Sequence, residues 1–135
     1  MARVIKQRHL FDKEMYSVKV AGVKVQVIVT SRASVVKRWL STMVHYHGRN
    51  VNRNCLVVGL GVESTVAFAS SQPPADTIQL CIGRRCLIFQ LSRAEKVSKS
   101  LRTFLKERSH TFVGFGNASD REELKSSKHI LKMRK

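Results

Sequence analysis

Glu63 and Asp120 are the residues from which chemistry could start. Glu63 closes an apolar stretch that begins at Cys55: Cys-Leu-Val-Val-Gly-Leu-Gly-Val-Glu. A short run this rich in β-branched residues reads as a strand buried on both faces, in the middle of a sheet. An unpaired carboxylate in such a place is costly. Glu63 therefore reaches solvent at the strand end, pairs with a base, or holds a metal. Asp120 follows a second short apolar strand, Thr111 to Phe115. If that strand returns beside the first through a right-handed crossover, the two carboxylates share one sheet edge. Ligand sites in such sheets form beyond the strand ends. Oxygen donors placed there suit a hard cation of the Mg²⁺ type.

Other constellations carry less. Cys81-x4-Cys86 with His45-x-His47 can be drawn as a zinc site, but the cysteines flank a tight turn in apolar surroundings and read as buried reduced thiols. Gly59-x-Gly61 lacks the third glycine and the following helix of a dinucleotide fingerprint. Gly114-x-Gly116 precedes a helix start and could approach a phosphate, with core packing the plainer reason for it. Ser64, Ser70 and Ser71 have no His/Asp arrangement around them, so a hydrolase triad has no support.

The elements that must position these residues follow from periodicity. Residues 1–14 are charged and without period, and read as a flexible basic arm. Alternation then runs through Tyr16, Val18 and Val20 and again from Val23 to Val29, with Ala21-Gly22 as a hairpin turn. Thr30-Ser31 offers a helix N-cap. Val35, Val36, Trp39, Leu40, Met43 and Val44 form one stripe of that helix, with Lys37 and Arg38 opposite. The helix should end near His45–Gly48, and Gly48 to Asn54 reads as a polar loop. After the Glu63 strand, Pro73-Pro74 marks a loop. Thr77–Ile82 and Arg85–Leu91 are strands joined by Gly83-Arg84, which sets Cys81 opposite Cys86. Ser92-Arg93-Ala94-Glu95 is a capping box for a helix carrying Val97, Leu101, Phe104 and Leu105. Ser119 to Glu122 is a second box, for a last helix with Leu124, Ile130 and Leu131. The sum is a mixed α/β sheet.

The charge limits the partners. Twenty-five Lys and Arg face nine Asp and Glu, a formal net charge of +16. Self-repulsion at that charge opposes compaction, and a polyanion relieves it. Nucleic acid is the first such partner; an anionic membrane surface is the second. No apolar run approaches the ~18 residues of a membrane helix, and the N-terminus lacks the apolar core of a secretory signal. Three cysteines, an odd number, fit reduced thiols in a nuclear or cytoplasmic protein.

Several blocks then stand in a telling order: Val-Val-Gly-Leu-Gly-Val-Glu at 57–63, Thr-Ile-Gln-Leu-Cys-Ile-Gly at 77–83, Cys-Leu-Ile-Phe-Gln-Leu at 86–91, and Thr-Phe-Val-Gly-Phe-Gly at 111–116 followed by Asp120. From about Tyr16 to Leu124 the chain resembles the Werner-type 3′–5′ exonuclease family, especially its plant members. The resemblance implies an RNase H-like fold and the DEDD set of four carboxylates. In that family they hold two divalent metals, one activating water and the other stabilising the leaving 3′ oxygen. Carried over, Glu63 matches the Glu of Asp-x-Glu and Asp120 matches the third carboxylate. Gly61 stands where the first Asp belongs and ligates nothing. Ser64 replaces a usual Trp. The last acidic block, with its Tyr or His, is absent, and neither His110 nor His129 is placed to substitute.

The resemblance therefore implies an RNase H-like mixed sheet, an antiparallel meander followed by helix, strand and helix, truncated at the C-terminus. Residues 15–135 are expected to be a partial exonuclease-like domain. Mg²⁺ or Mn²⁺ would be the cofactor of any remaining activity, with Glu63 and Asp120 as its ligands. Lys96, Lys99, Arg102 and Lys106 are the expected phosphate contacts of a nucleic-acid partner, DNA or RNA with a 3′ end. Two other outcomes stand beside this one. The chain could be a non-catalytic interaction module that pairs with a complete homologue through an uncovered sheet face. It could also be a working nuclease that recruits Asp76.

Overall fold

The computed structural model describes residues 2–64, 75–114, 123–125, 127 and 129–132. Strands β1 (Ala2–His9), β2 (Glu14–Val20) and β3 (Val23–Thr30) form an antiparallel meander. Helices α1 (Ala33–Tyr46) and α2 (Gly48–Asn52) follow. Then come β4 (Val57–Ser64), β5 (Ala75–Ile82), β6 (Arg85–Gln90), α3 (Lys99–Lys106) and β7 (Thr111–Val113). The seven described strands make one sheet in the order β1-β2-β3-β6-β5-β4-β7. β3 runs parallel to β6, and β7 runs parallel to β4; the other pairs are antiparallel. The expected mixed sheet, and the return of Thr111–Val113 beside the Glu63 strand, are both present.

Period-2 alternation divides the sheet into two faces. Val58, Leu60, Ile78, Leu80, Leu87 and Phe89 point inward and pack against Val36, Trp39, Leu40 and Met43 of α1 and Leu101, Phe104 and Leu105 of α3. Each such side chain contributes about 1.5–3 kcal/mol of burial. Leu124 and Leu131 close the same core. Register puts Glu63, Gly61 and Gly59 on the other face, beside Thr77, Gln79 and Cys81. The Glu63 strand is therefore buried on one face and not on two. Its outer face carries two glycines, and Val57 is 53% exposed. It lies next to the edge strand β7, away from the middle of the sheet.

Local chemistry explains several departures from the expected elements. Ala2–His9 is a strand, not a flexible arm: its backbone pairs with β2 although every side chain is exposed. Thr30 does not cap α1. Its hydroxyl donates to Asp12 O at 2.7 Å and accepts from Arg32 N at 3.1 Å, tying the meander to the helix start. The segment expected as a polar loop contains α2. Ser92 does not open a helix either, because Leu91 and Ala94 are drawn fully into the core and Leu91–Arg93 becomes a 3-10 turn. The cap is Ser98, whose hydroxyl accepts from Leu101 N at 3.2 Å. Cys81 and Cys86 face each other across the β5–β6 hairpin and form a disulfide in place of reduced thiols, while Cys55 is free and exposed. Among the described residues no helix is long and apolar enough to cross a membrane.

Candidate functional site

The site is built at the end of β4. Glu63 is exposed on the outer face and pairs in register with Thr77 of β5. A bulge follows, so that Ser64 pairs with Ala75 and Asp76 is the extra residue beside it. Ser64 donates its hydroxyl to Glu123 Oε2 at 3.0 Å. That bond brings the segment after β7 to the end of β4, so Glu63, Asp76 and Glu123 share one sheet edge. Asp120 lies outside the described residues. Among those described, no three His, Cys, Asp or Glu side chains converge as a metal cage.

Gly61 lies two residues before Glu63 and therefore on the same face. Its register partner is Gln79. A Cβ built on Gly61 meets Gln79 Oε1 at 3.0 Å, so the Gln79 amide lies over the place where a side chain at 61 would begin. Gln79 escaped the sequence reading. Its signal was the 79–88 pairing of the β5–β6 hairpin, which orients residue 79 toward the Gly61 face. The contact of Ser64 with Glu123 had no sequence signal, since it spans 59 positions.

His110, His129 and Gly114 have structural work. His110 is buried, with its ring tilted against Phe104 at a centroid distance of 4.6 Å. His129 hydrogen-bonds through Nε2 to Ala94 O at 2.7 Å. Neither stands at the Glu63 edge. Gly114 has φ +79, and a Cβ there would meet Leu60 O at 3.3 Å, so close approach of the chain to β4 requires glycine. Gly116 lies outside the described residues. The zinc alternative falls because Cys81 and Cys86 are bonded to each other.

Lys99, Arg102 and Lys106 recur along α3 at spacings of three and four, which places them on one helix face. Lys96 precedes the helix and is exposed, as are Lys99 and Lys106. Arg102 is half-buried and donates to the carbonyls of Ile130 at 3.1 Å and His129 at 2.8 Å. It anchors the C-terminal segment to α3, with Lys132 beside it around a shallow cavity of about 390 Å³.

No family model matches the chain, and no curated protein sequence does either. Solved structures do. The crystal structure of the EXD2 exonuclease domain is 15% identical, with a TM-score of 0.63, over 79% of this chain and 54% of that one. The same domain soaked in Mg and GMP is 16% identical with a TM-score of 0.59, over 79% and 53%. Soaked in Mn and GMP it is 15% identical with a TM-score of 0.57, again over 79% and 53%. The fold is the RNase H-like exonuclease fold. This chain spans about half the length of the EXD2 domains it matches. At such identity the likeness carries the exonuclease fold and leaves the chemistry to the residues present.

Proposed function

We propose that this chain is a nucleic-acid-binding domain of the Werner-type 3′–5′ exonuclease family in which metal-dependent phosphodiester hydrolysis is impaired or lost. The observation that carries the reading is Gly61. It shares the outer face of β4 with Glu63, at the position the resemblance gives to the Asp that two metals would share, and it brings no donor. In support of this reading, no three His, Cys, Asp or Glu side chains converge as a metal cage among the described residues, and the neutral amide of Gln79 stands over Gly61. Glu63 and Asp120 are then remnants, able at most to hold one Mg²⁺ or Mn²⁺ loosely among waters. Those are the metals with which EXD2 domains were soaked.

The binding half of the reading rests on charge. Lys96, Lys99, Lys106 and Lys132 offer exposed ammonium groups around the α3 face, and contacts of that kind give sequence-independent, salt-dependent affinity. The partner is DNA or RNA with a 3′ end, as the exonuclease fold suggests.

The test is digestion of a 3′-recessed labelled duplex in Mg²⁺ or Mn²⁺, beside Glu63→Ala. The expected result is no stepwise shortening by the folded wild-type chain. Shortening from the 3′ end that Glu63→Ala abolishes would mean that another ligand, Asp76 in the bulge beside Glu63 being the first candidate, replaces position 61. A second reading, a protein-interaction module, is favoured by one observation: Val18, Val25, Val27 and Ile88 leave a partly exposed apolar strip on the outer face. A size that grows with concentration, together with indifference to nucleic acid, would select it.

A further inference from the structure

A cluster of positive charge lies on the inner face, away from Glu63. The meander extends sideways beyond α1 and makes a concave corner with it, a groove of about 350 Å³. Its cations are Lys6, Arg8, Lys13, Lys24, Arg38 and Arg85, and no acidic residue lines it. Register explains the gathering. Lys6 pairs with Ser17, Ser17 with Gln26, and Gln26 with Arg85, so one cross-strand row begins and ends in a cation. The next row on that face runs Arg8, Met15, Ile28, Leu87. Arg38 comes from α1 above the rows. The floor is apolar, made by Met15, Ile28 and the largely buried Trp39.

None of the six is ion-paired; among the described residues the salt bridge found is His9–Glu14, at 3.2 Å. Glu14 alternates onto the outer face, where Tyr16 also bonds it at 2.7 Å. Arg85 lies over the Tyr46 ring at 4.4 Å, which orients its guanidinium without neutralising it. Six cations around an apolar floor repel one another, and a chain of negative charges laid between them relieves the repulsion. The corner suits one strand, with phosphates on the cationic rim and sugar or base against Met15 and Ile28.

We propose that this groove holds the phosphodiester backbone of a single nucleic-acid strand. The assignment rests on the nucleic-acid reading above. It adds that the strand is held on the helix-bearing face near β1–β3, separated from Glu63 by β6 and β5 and by the thickness of the sheet.

The experiment is fluorescence anisotropy of a labelled oligothymidylate over a salt series. It compares wild type with Lys6→Ala/Arg8→Ala, Lys24→Ala/Arg38→Ala, and the four combined. All four side chains are exposed, and circular dichroism checks each fold. The quadruple variant is expected to lose at least tenfold in affinity at low salt, with the salt slope falling by about 3, from ~0.7 per phosphate contact. Each double variant should lose about half of that slope, which keeps the test open should the quadruple variant not fold. A Lys6→Arg/Lys24→Arg chain should bind as wild type does. Wild type that does not bind overturns the nucleic-acid reading and the groove together. Wild type that binds while the groove variants match it overturns the groove alone. Polyglutamate displacing the oligonucleotide at equal charge concentration would assign the groove to acidic polypeptides and overturn the strand.

Discussion

Glu63, Gly61 and Gln79 set the chemistry of the outer face by what they lack as much as by what they carry. A carboxylate at 61 would point to the same side of β4 as Glu63, one pleat away. The obstacle is the far end of the Gln79 side chain, at 3.0 Å from a Cβ on residue 61, which can swing aside. Gly61→Asp is therefore expected to fold, losing about 1 kcal/mol or less through the poor strand propensity of Asp. It should bind Mn²⁺ more tightly than wild type, read by the loss of the free-ion paramagnetic signal, and Gly61→Asp/Glu63→Ala should not. Equal Mn²⁺ binding by wild type and Gly61→Asp would show that position 61 does not correspond to the family's first Asp. Gln79→Ala, by removing the overlying amide, should leave wild-type metal binding unchanged, since it adds no donor.

α3 is fixed at its start by a single capping side chain, whereas α1 and α2 have none. Ser98→Ala removes the acceptor for Leu101 N and should cost about 1 kcal/mol, whereas Ser92→Ala, at an exposed position in a 3-10 turn, should change the urea midpoint little. At the other end of α3, Glu107 Oε1 accepts from Ser109 N at 3.2 Å and Ser109 Oγ at 3.1 Å. Those two bonds hold the Glu107 carboxyl below its ordinary pKa. A depressed carboxylate contributes stability above its unfolded pKa, and the contribution is lost as pH falls through the lower folded value. Glu107→Gln should therefore flatten the acid limb of the stability curve, and Ser109→Ala, which removes the hydroxyl bond and keeps the backbone one, should return the Glu107 titration, followed by carboxyl NMR, part of the way to the ordinary range. The sequence made local features legible: Ala21-Gly22, both with positive φ, is the turn its dipeptide suggests, and the α1 stripe is buried from Val35 to Met43 as its spacing implies, while Val44, expected in the same stripe, is exposed. It hid what depends on distant contact. β1 has no apolar face to betray it, because backbone pairing alone makes it a strand. The capping box at Ser92 was overruled by burial of Ala94, a tertiary preference that outweighs local propensity. At the site, Glu63 at a strand end was legible, and the Gln79 amide across from Gly61 needed the register.

At the scale of the whole molecule, the excess of 25 basic over nine acidic residues is a standing source of destabilisation. Among the described residues the salt bridge found is His9–Glu14, so the Lys and Arg charges there are not paired off. Screening should therefore stabilise the fold. The Debye length falls from about 30 Å at 0.01 M to about 8 Å near physiological salt, so Tm should climb as salt rises from low values. A bound polyanion should do more, and in the opposite salt regime. At low salt, a single-stranded oligonucleotide at about 100 times its Kd adds about 2.7 kcal/mol by linkage, on the order of 10 °C in Tm for a domain of this size. Added salt should raise the Tm of the free chain and erase the increment due to the oligonucleotide, so that the two melting curves converge. Curves that stay apart at high salt would mean that binding is not carried by phosphate contacts. A free chain whose Tm ignores salt would mean that its positive charges are too dispersed to repel, and the case for a polyanionic partner would lose its physical ground.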